Sequence, residues 1–351
     1  MKRAVALFLS FACALLSLVS FSSCRVQPMQ KFKAYYFDYF DTATTIVGWE
    51  KSQEDFDAVC EEIKAQLDFY HKQYTIYNSY DGINNICALN KTEKGVHKEL
   101  KVDKSIIDLL LYCKKLYKET NGKLNVAMGS VLSIWHDYRN EGMNNPVNAK
   151  LPPIEALMEA SLYTDIEKVI INEQEKTVFL SEPKMTLDVG AIAKGYAVER
   201  VAQHLISKGI TGYVLNVGGN VRAIGSSNGE PWQVGVENPD TDSEQSYIEK
   251  LSLENMSLVT SGNYQRFYMV NGKSYHHIID PETLMPCNKY MSVSVITEDS
   301  GCADALSTTL FLEDFENGLK LIENLENTEA MWVLPDGTKK YSSGFLNYSN
   351  K

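Results

Sequence analysis

The spacing of apolar residues along the chain predicts both helices and strands. In several segments apolar side chains recur every three or four residues, as they do on one face of a helix. Other segments alternate between apolar and polar residues, or run apolar between turn residues, as strands do. The predicted helices cover residues 52–70, 105–120, 197–208, 303–312 and 317–325; the predicted strands cover residues 35–49, 213–216, 290–296 and 331–333, with a hairpin over 169–180 and a largely β region over 221–280.

Turn and capping residues support these boundaries. Ser52, with Asp55 three residues later, is typical of a helix start, and Asn271-Gly272 is a strong hairpin turn. Residues 74–90 and 140–153 show no periodicity, so irregular structure is expected there. Because helices and strands are partly segregated along the chain, we predict an α+β fold. The sequence shows no repeat and no domain boundary after Tyr35, which predicts a single catalytic domain over residues 35–351, with mixed or antiparallel sheets and flanking helices.

The first 23 residues have the features of a secretory signal peptide. Lys2-Arg3 precede an almost wholly apolar run, and small residues lead directly into Cys24, as in a bacterial lipoprotein. Residues 24–34 would then form a tether. No later stretch reaches transmembrane length, so a lipid on Cys24 would be the membrane anchor. The expected location is therefore the bacterial cell envelope, on the periplasmic face of the inner membrane or on the extracellular face.

Charge and cysteine content narrow the possible partners. The formal net charge is −11, and removal of the leader with Lys2 and Arg3 makes it −13. This acidity argues against nucleic acid as a partner and suits a site that binds a divalent cation. Five cysteines remain beyond Cys13 and Cys24, without any C-x-x-C pair, so we expect buried thiols in place of disulfides or a zinc site.

Residues 187–198 form the strongest candidate for a ligand site. A short apolar run ends at Asp188, and Gly190 and Gly195 bracket Ala191 and Lys194 ahead of a helix. Backbone N–H groups are free at a helix start, and glycines permit close approach, so a phosphate or a metal–phosphate pair could bind. A tight strand-to-helix connection with an exposed lysine fits these residues equally well.

Other polar clusters are weaker when each is considered separately. Gly218-Gly219-Asn220 resembles a simple turn, and Arg266 lies in a polar segment where it could meet phosphate or solvent. In a strand His276 and His277 would face opposite sides, so one could act as a base while the other is structural.

One further pair suits a metal ion. Asp304 and Thr308 stand four apart on a predicted helix and share a face. A carboxylate with a hydroxyl suits Mg²⁺, although an acidic residue near a helix N-terminus with an unrelated threonine explains the pair as well.

Taken together, the clusters resemble the motifs of a known family. The segments D-V-G-A-I-A-K-G-Y-A-V, N-V-G-G-N, T-S-G-N-Y-Q-R, H-H-I-I-D-P-E-T and A-D-A-L-S-T-T occur in this order. They are similar to the successive motifs of the ApbE family, the bacterial FAD:protein FMN transferases. Two earlier segments, F-D-T-A-T-T and Y-T-I-Y, extend the resemblance over nearly the whole mature chain.

The resemblance implies a role for individual positions. It implies Mg²⁺ ligation by the side chains of Asp304 and Thr308 and by the backbone carbonyl of Ala191, with Ser307 a further possibility. It implies His277 as the catalytic base, with Asp188 the other contender. Implied contacts with FAD are Phe40, Tyr77, Leu124, Asn125, Asp188, Lys194, His277 and Ile278. Phe40 stands where the family usually has Met, and Asn125 where an acidic residue is common.

The implied reaction is Mg²⁺-dependent transfer of FMN from FAD to a threonine or serine hydroxyl of an acceptor protein, with release of AMP. The acceptor would be an exported domain of a membrane redox complex. Two alternatives remain open from the residues: an Mg²⁺-dependent FAD pyrophosphatase that gives FMN and AMP, and an exported lipoprotein that binds FAD without chemistry.

Overall fold

A computed structural model of the chain describes residues 28–92 and 99–350. The expected signal peptide and Cys24 lie outside the described residues. The helices are α1 (Gln53–Tyr74), α2 (Ile86–Asn90), α3 (Lys104–Glu119), α4 (Gly129–Asn144), α5 (Ile154–Ser161), α6 (Ala193–Ser207), α7 (Ser300–Leu312) and α8 (Phe315–Glu323). The strands are β1 (Gln30–Tyr39), β2 (Thr42–Glu50), β3 (Leu100–Lys101), β4 (Val169–Asn172), β5 (Thr177–Leu180), β6 (Tyr213–Val217), β7 (Asn220–Ile224), β8 (Trp232–Glu237), β9 (Tyr247–Leu253), β10 (Ser257–Gly262), β11 (Phe267–Val270), β12 (Lys273–His276), β13 (Ser292–Thr297), β14 (Glu329–Val333) and β15 (Lys339–Tyr341). Within the described ranges, no helix has the length and apolar character needed to cross a membrane.

A large sheet organises the molecule. It has eight strands in the order β1-β2-β6-β7-β10-β13-β14-β15, and each neighbouring pair is antiparallel. Three small sheets accompany it: β3-β5-β4, β8-β9 and β11-β12. This arrangement of helices and antiparallel strands agrees with the α+β prediction.

The two faces of the large sheet are covered by different elements. Ile46 and Leu215 pack with the apolar sides of α1 and α6. The alternate residues Val47 and Val214 point to the other face and pack with the β8–β9 pair. The helix α7 packs against β10 and β13 farther along the sheet, and α3 lies in a separate apolar cluster with the start of α6. The starts of α6 and α7 also contact each other, since the N–H of Gly195 donates to the carboxylate of Asp304.

The first predicted strand is corrected by the structure. Residues 35–49 form most of a hairpin, in which β1 and β2 are joined by Phe40 and Asp41. Both turn residues have positive φ, +53° and +52°, which a single continuous strand does not allow. The strand β1 also begins at Gln30, so residues 30–34, expected in the tether, pair with β2.

Most other predicted elements are confirmed, including the helices expected over residues 52–70 and 105–120, but the helices within residues 86–90 and 129–161 are not among them. The α2 helix lies within residues 74–90, where irregular structure was expected. The α1 helix begins after Ser52, whose hydroxyl accepts the N–H of Asp55, and Asn271-Gly272 forms the predicted turn. The helices α4 and α5 were not predicted, and α4 extends into residues 140–144, where irregular structure was expected. The α6 helix begins at Ala193 and not at Ala197, so Lys194 lies in its first turn.

Candidate active site

One cavity gathers eleven of the twelve positions that the sequence resemblance singled out; the twelfth, Ser307, is not part of its lining. Its volume is about 360 Å³, and it is formed by segments that lie far apart in the chain. Its lining includes Phe40, Tyr77, Leu124, Asn125, Asp188, Ala191, Lys194, His277, Ile278, Asp304 and Thr308. The fold therefore brings all eleven positions together, while their individual roles stay predictions.

One corner of the cavity is the contact between α6 and α7. The carboxylate of Asp304 is 4% exposed; its Oδ2 accepts the N–H of Gly195 at 2.8 Å and lies 3.8 Å from Nζ of Lys194. A Cβ at Gly195 would come within 2.3 Å of the Ser300 carbonyl oxygen and 2.5 Å of the Asp304 Cβ. Glycine is therefore required here so that the two helix starts can touch.

A chain of hydroxyls continues this corner. Ser307 Oγ donates to the Asp304 carbonyl oxygen at 2.9 Å and lies 2.8 Å from Ser261 Oγ. Since a hydroxyl has one proton, Ser261 donates to Ser307, and Thr308 Oγ1, 3.2 Å from Ser261 Oγ, donates to Ser261. The lone pairs of the Thr308 hydroxyl are left available to a cation.

These donors fit Mg²⁺. A carboxylate, a hydroxyl and the Ala191 carbonyl are hard oxygen ligands, and Mg²⁺ takes one or two carboxylates together with substrate phosphates and water. Over residues 28–92 and 99–350, no three His, Cys, Asp or Glu side chains are grouped to hold a metal ion. The five cysteines within the described ranges are free thiols, and four of them are buried, as the sequence predicted.

Asp188 lies on the cavity wall in a fixed orientation. Its Oδ1 accepts the N–H of Gly190 at 2.9 Å, and its own N–H donates to the Val126 carbonyl at 2.8 Å. Nε2 of His136, on α4, lies 3.6 Å from Asp188 Oδ2. Burial lowers the pKa of His136 and the Asp188 carboxylate opposes that shift.

His277 is the histidine of its pair that faces the cavity. His276 is buried at the end of β12, with Nε2 2.6 Å from the Cys287 carbonyl oxygen, which confirms that the two rings face different sides. Burial, together with the nearby cations of Arg266 and Arg139, lowers the pKa of His277 to about 3. Its Nδ1 is buried and has no hydrogen-bond partner within the described part of the chain. His277 is therefore neutral at pH 7, and within the described ranges its Nδ1 keeps an unused hydrogen-bonding capacity.

Several cavity residues were not found from the sequence. His136 and Arg139 stand three apart on α4, so they share a helix face, and both line the cavity. Recognition of α4 as a helix would have revealed this pair. His71, from the last turn of α1, also lines the cavity, as does Arg266, which sequence reasoning left undecided between phosphate and solvent. Arg139 and Arg266 therefore make the cavity lining more cationic than the motifs indicated.

Part of the cavity lining is apolar or aromatic. It includes Phe40, Leu124 and Ile278, together with the half-exposed ring of Tyr77. The Asn125 amide is engaged locally, since Oδ1 accepts the Ala127 N–H and Nδ2 donates to the Thr164 carbonyl, both at 2.9 Å. A lining that combines apolar and aromatic side chains, arginines and oxygen donors suits an amphiphilic ligand with an aromatic and a phosphate part.

Comparison with known proteins adds a family to this geometry. The sequence matches the model of the ApbE family over residues 40–332. It is 28% identical over 307 residues to the FAD:protein FMN transferase of Haemophilus influenzae, covering 86% of this chain and 83% of that protein. It is 33% identical over 233 residues to an FAD:protein FMN transferase of Klebsiella pneumoniae, covering 66% and 70%. The crystal structure of the ApbE protein from Thermotoga maritima superposes with a TM-score of 0.79 at 26% identity, covering 92% of this chain and all of that one.

Proposed function

Because the chain belongs to the ApbE family, we propose that it is an Mg²⁺-dependent FAD:protein FMN transferase. It moves FMN from FAD to a serine or threonine hydroxyl of an acceptor protein and releases AMP. The new bond joins the acceptor oxygen to the FMN-side phosphorus, and the bond that breaks joins that phosphorus to the oxygen retained by AMP. The hydroxyl proton goes to a base of the enzyme.

The observation that carries the proposal is the convergence of five separate motifs on one cavity. Unrelated turns and helix caps would not be expected to line the same cavity. The cavity lining also has the composition that FAD requires: apolar and aromatic side chains for the ring system, cationic side chains for the diphosphate and oxygen donors for a divalent ion.

The residues of the chain have distinct tasks in this proposal. Asp304, Thr308 and the Ala191 carbonyl would hold Mg²⁺. When bound, the ion neutralises phosphate charge. The N–H of Gly195 fixes the Asp304 carboxylate, and Lys194 beside it adds positive charge for a phosphate.

Proton removal falls to His277 or Asp188. His277 is neutral, and its Nδ1 has no hydrogen-bond partner among residues 28–92 and 99–350, so the ring can take the hydroxyl proton. A ring with so low a pKa is a weak base in the free protein, but the phosphates of bound FAD would raise that pKa because opposite charges favour the protonated form. Asp188 is ionisable, nearly buried and already oriented by Gly190, which makes it the second candidate.

The cellular setting is also part of the proposal. An apolar leader followed by Cys24 supports an exported lipoprotein held in the cell envelope by a lipid on that cysteine. An enzyme in this position would act on exported domains, such as those of membrane redox complexes. The acidic charge of the chain supports a protein acceptor over nucleic acid.

The test follows both products of the reaction. The mature chain is incubated with FAD and Mg²⁺, with and without an acceptor domain, and AMP and gel-fixed flavin fluorescence are measured. AMP in step with flavin on the acceptor supports the transferase. Equal AMP without acceptor identifies a pyrophosphatase, and tight FAD binding with neither product leaves only an FAD carrier.

Asp304→Asn tests the oxygen corner directly. The substitution keeps the size and an acceptor for Gly195 but removes the charge, so turnover should fall by two orders of magnitude or more, in the range that one preorganised charged group contributes. The matched control is Asp108→Asn, because Asp108 pairs with Lys104 on the exposed side of α3. Unchanged turnover in Asp304→Asn would contradict the assignment of Asp304 as an Mg²⁺ ligand.

A further inference from the structure

The turn between β1 and β2 is held in a conformation that its residues do not favour. Phe40 and Asp41 both have left-handed φ values, and neither is glycine. A bulky residue in that region is strained, so the surrounding structure must hold it there. Both residues line the cavity, so the shape of this turn is also the shape of one cavity wall.

The two sides of the turn are fixed by different contacts. On the β2 side, the Gly218 N–H donates to the Ala43 carbonyl at 2.9 Å, and the β6–β7 turn packs closely on Thr42. On the β1 side, the pairing with β2 is irregular between Tyr36 and Tyr39, so a regular ladder does not run into the turn.

A hydrogen bond to a histidine side chain fixes the β1 side of the turn. The Phe40 N–H donates to Nδ1 of His71 at 3.1 Å, and the two rings meet edge to face with centroids 5.6 Å apart. Nδ1 must carry a lone pair to accept this bond, so the proton of the neutral ring is on Nε2, which lies 3.3 Å from the Tyr80 hydroxyl oxygen. His71 is itself fixed by its place in the last turn of α1.

We propose that His71 is a positioning residue for the flavin end of the cavity. By accepting the Phe40 N–H, it holds the β1–β2 turn in its strained form and keeps the Phe40 ring on the cavity wall. The proposal rests on the proposed function, since it takes FAD as the occupant of the cavity. It assigns His71 no proton transfer and no contact with the reacting phosphorus.

Two features of the side chain can be separated by substitution. His71→Asn places an amide oxygen where Nδ1 stands and removes the ring; His71→Phe keeps an aromatic ring and removes the acceptor. His71→Gln is a second loss variant, because its amide lies where Nε2 stands. His204→Phe is the matched control, since His204 lies on α6 and bonds to Glu62 at 2.6 Å, away from the cavity lining.

The measurement is a titration of FAD fluorescence with the mature chain, without Mg²⁺ so that FAD is not consumed. Loss of the partly buried hydrogen bond to the Phe40 N–H should weaken FAD binding roughly five- to tenfold in His71→Phe and His71→Gln. His71→Asn should stay within about threefold of wild type, and His204→Phe should not change. In turnover assays the loss variants should raise KM for FAD by the same factor while kcat changes little, because the hydrogen bond is the same in ground and transition states.

The outcomes separate the two proposals. If wild type binds FAD and all His71 variants bind it equally well, the positioning role is wrong and the proposed function stands. If His71→Asn is as weak as His71→Phe, the ring and not the acceptor matters, and the hydrogen-bond argument fails. If wild type does not bind FAD at all, the proposed function fails and this inference fails with it. Thermal melting of each variant shows whether a binding loss comes from unfolding.

Discussion

The buried ion pair between Glu199 and Arg222 offers the sharpest test of how the site is held together. Glu199, on α6, is 2% exposed, and Arg222, on β7, is 4% exposed, with Nε and Oε2 3.0 Å apart. The same Oε2 accepts the N–H of Ser300 at 3.0 Å, at the start of α7. A single carboxylate therefore joins the sheet to the two helices that carry Lys194 and Asp304.

Arg222→Met should destabilise the protein strongly. The substitution leaves the Glu199 carboxylate buried with only neutral donors, and an uncompensated buried charge costs about 3–5 kcal/mol. The double variant Glu199→Gln/Arg222→Met removes that charge and keeps an acceptor for the Ser300 N–H, so most of the loss should be recovered. The coupling between the two sites should then be about 2 kcal/mol or more, since the residues touch.

Equilibrium unfolding in urea, followed by fluorescence of the four tryptophans, measures these free energies. The control is Lys104→Met, which breaks an exposed pair with Asp108 at 2.6 Å and should cost less than about 1 kcal/mol. Equal destabilisation in the single and double Arg222 variants would refute the reasoning, because the cost would then come from lost packing and not from the stranded charge.

Two further predictions concern Gly195 and His277. Gly195→Ala should lower the free energy of unfolding by about 1–3 kcal/mol and reduce turnover, because the new Cβ would lie 2.3 Å from a backbone oxygen of α7. The control is Gly318→Ala, because the nearest neighbour of its Cβ is the flexible Leu310 side chain at 3.1 Å. Equal melting temperatures in the two variants would contradict the packing argument. His277 should make the stability of the protein sensitive to acid. Its pKa in the folded protein, about 3, lies below the usual 6.5, so its contribution to the free energy of unfolding is fully present above pH 6.5 and is lost as the pH falls towards 3. Between pH 7 and pH 5, protonation linked to His277 should lower the free energy of unfolding by up to about 2 kcal/mol. The urea midpoint of His277→Gln should therefore fall less over that interval than the midpoint of the wild type. Equal falls in the two proteins would show that His277 becomes charged in the folded protein without cost.

Local patterns predicted most of the elements because their signals lie within a few residues. Ser52 with Asp55, and Asn271-Gly272, fix backbone geometry by short-range hydrogen bonds or by tolerance of positive φ. Eleven of the residues named by the family resemblance line one cavity for a different reason. Family motifs mark residues of a common site, and they do so even where the elements between the motifs are predicted wrongly. Their convergence was visible in the sequence only through that resemblance.

The failures came from tertiary effects. Phe40-Asp41 carries no glycine or asparagine, so nothing local marks the hairpin; His71, thirty-one residues away, helps to hold the turn. The α4 helix begins with Gly129-Ser130 and contains Gly142, all buried in close packing, so its apolar period is weak. His136 and Arg139 were missed with it, since a helix that is not recognised gives no shared face.

The distribution of the cavity wall along the chain has a consequence for biosynthesis. The lining extends from Phe40, in the first hairpin, to Leu312, at the end of α7. The strands of the large sheet follow one another in chain order, so pairing can proceed as the polypeptide emerges. The pocket itself closes only when α7 arrives. A nascent or truncated polypeptide ending before residue 300 would carry most of the sheet and no oxygen corner. Under the proposed function, FAD would therefore bind only after nearly the whole chain is complete.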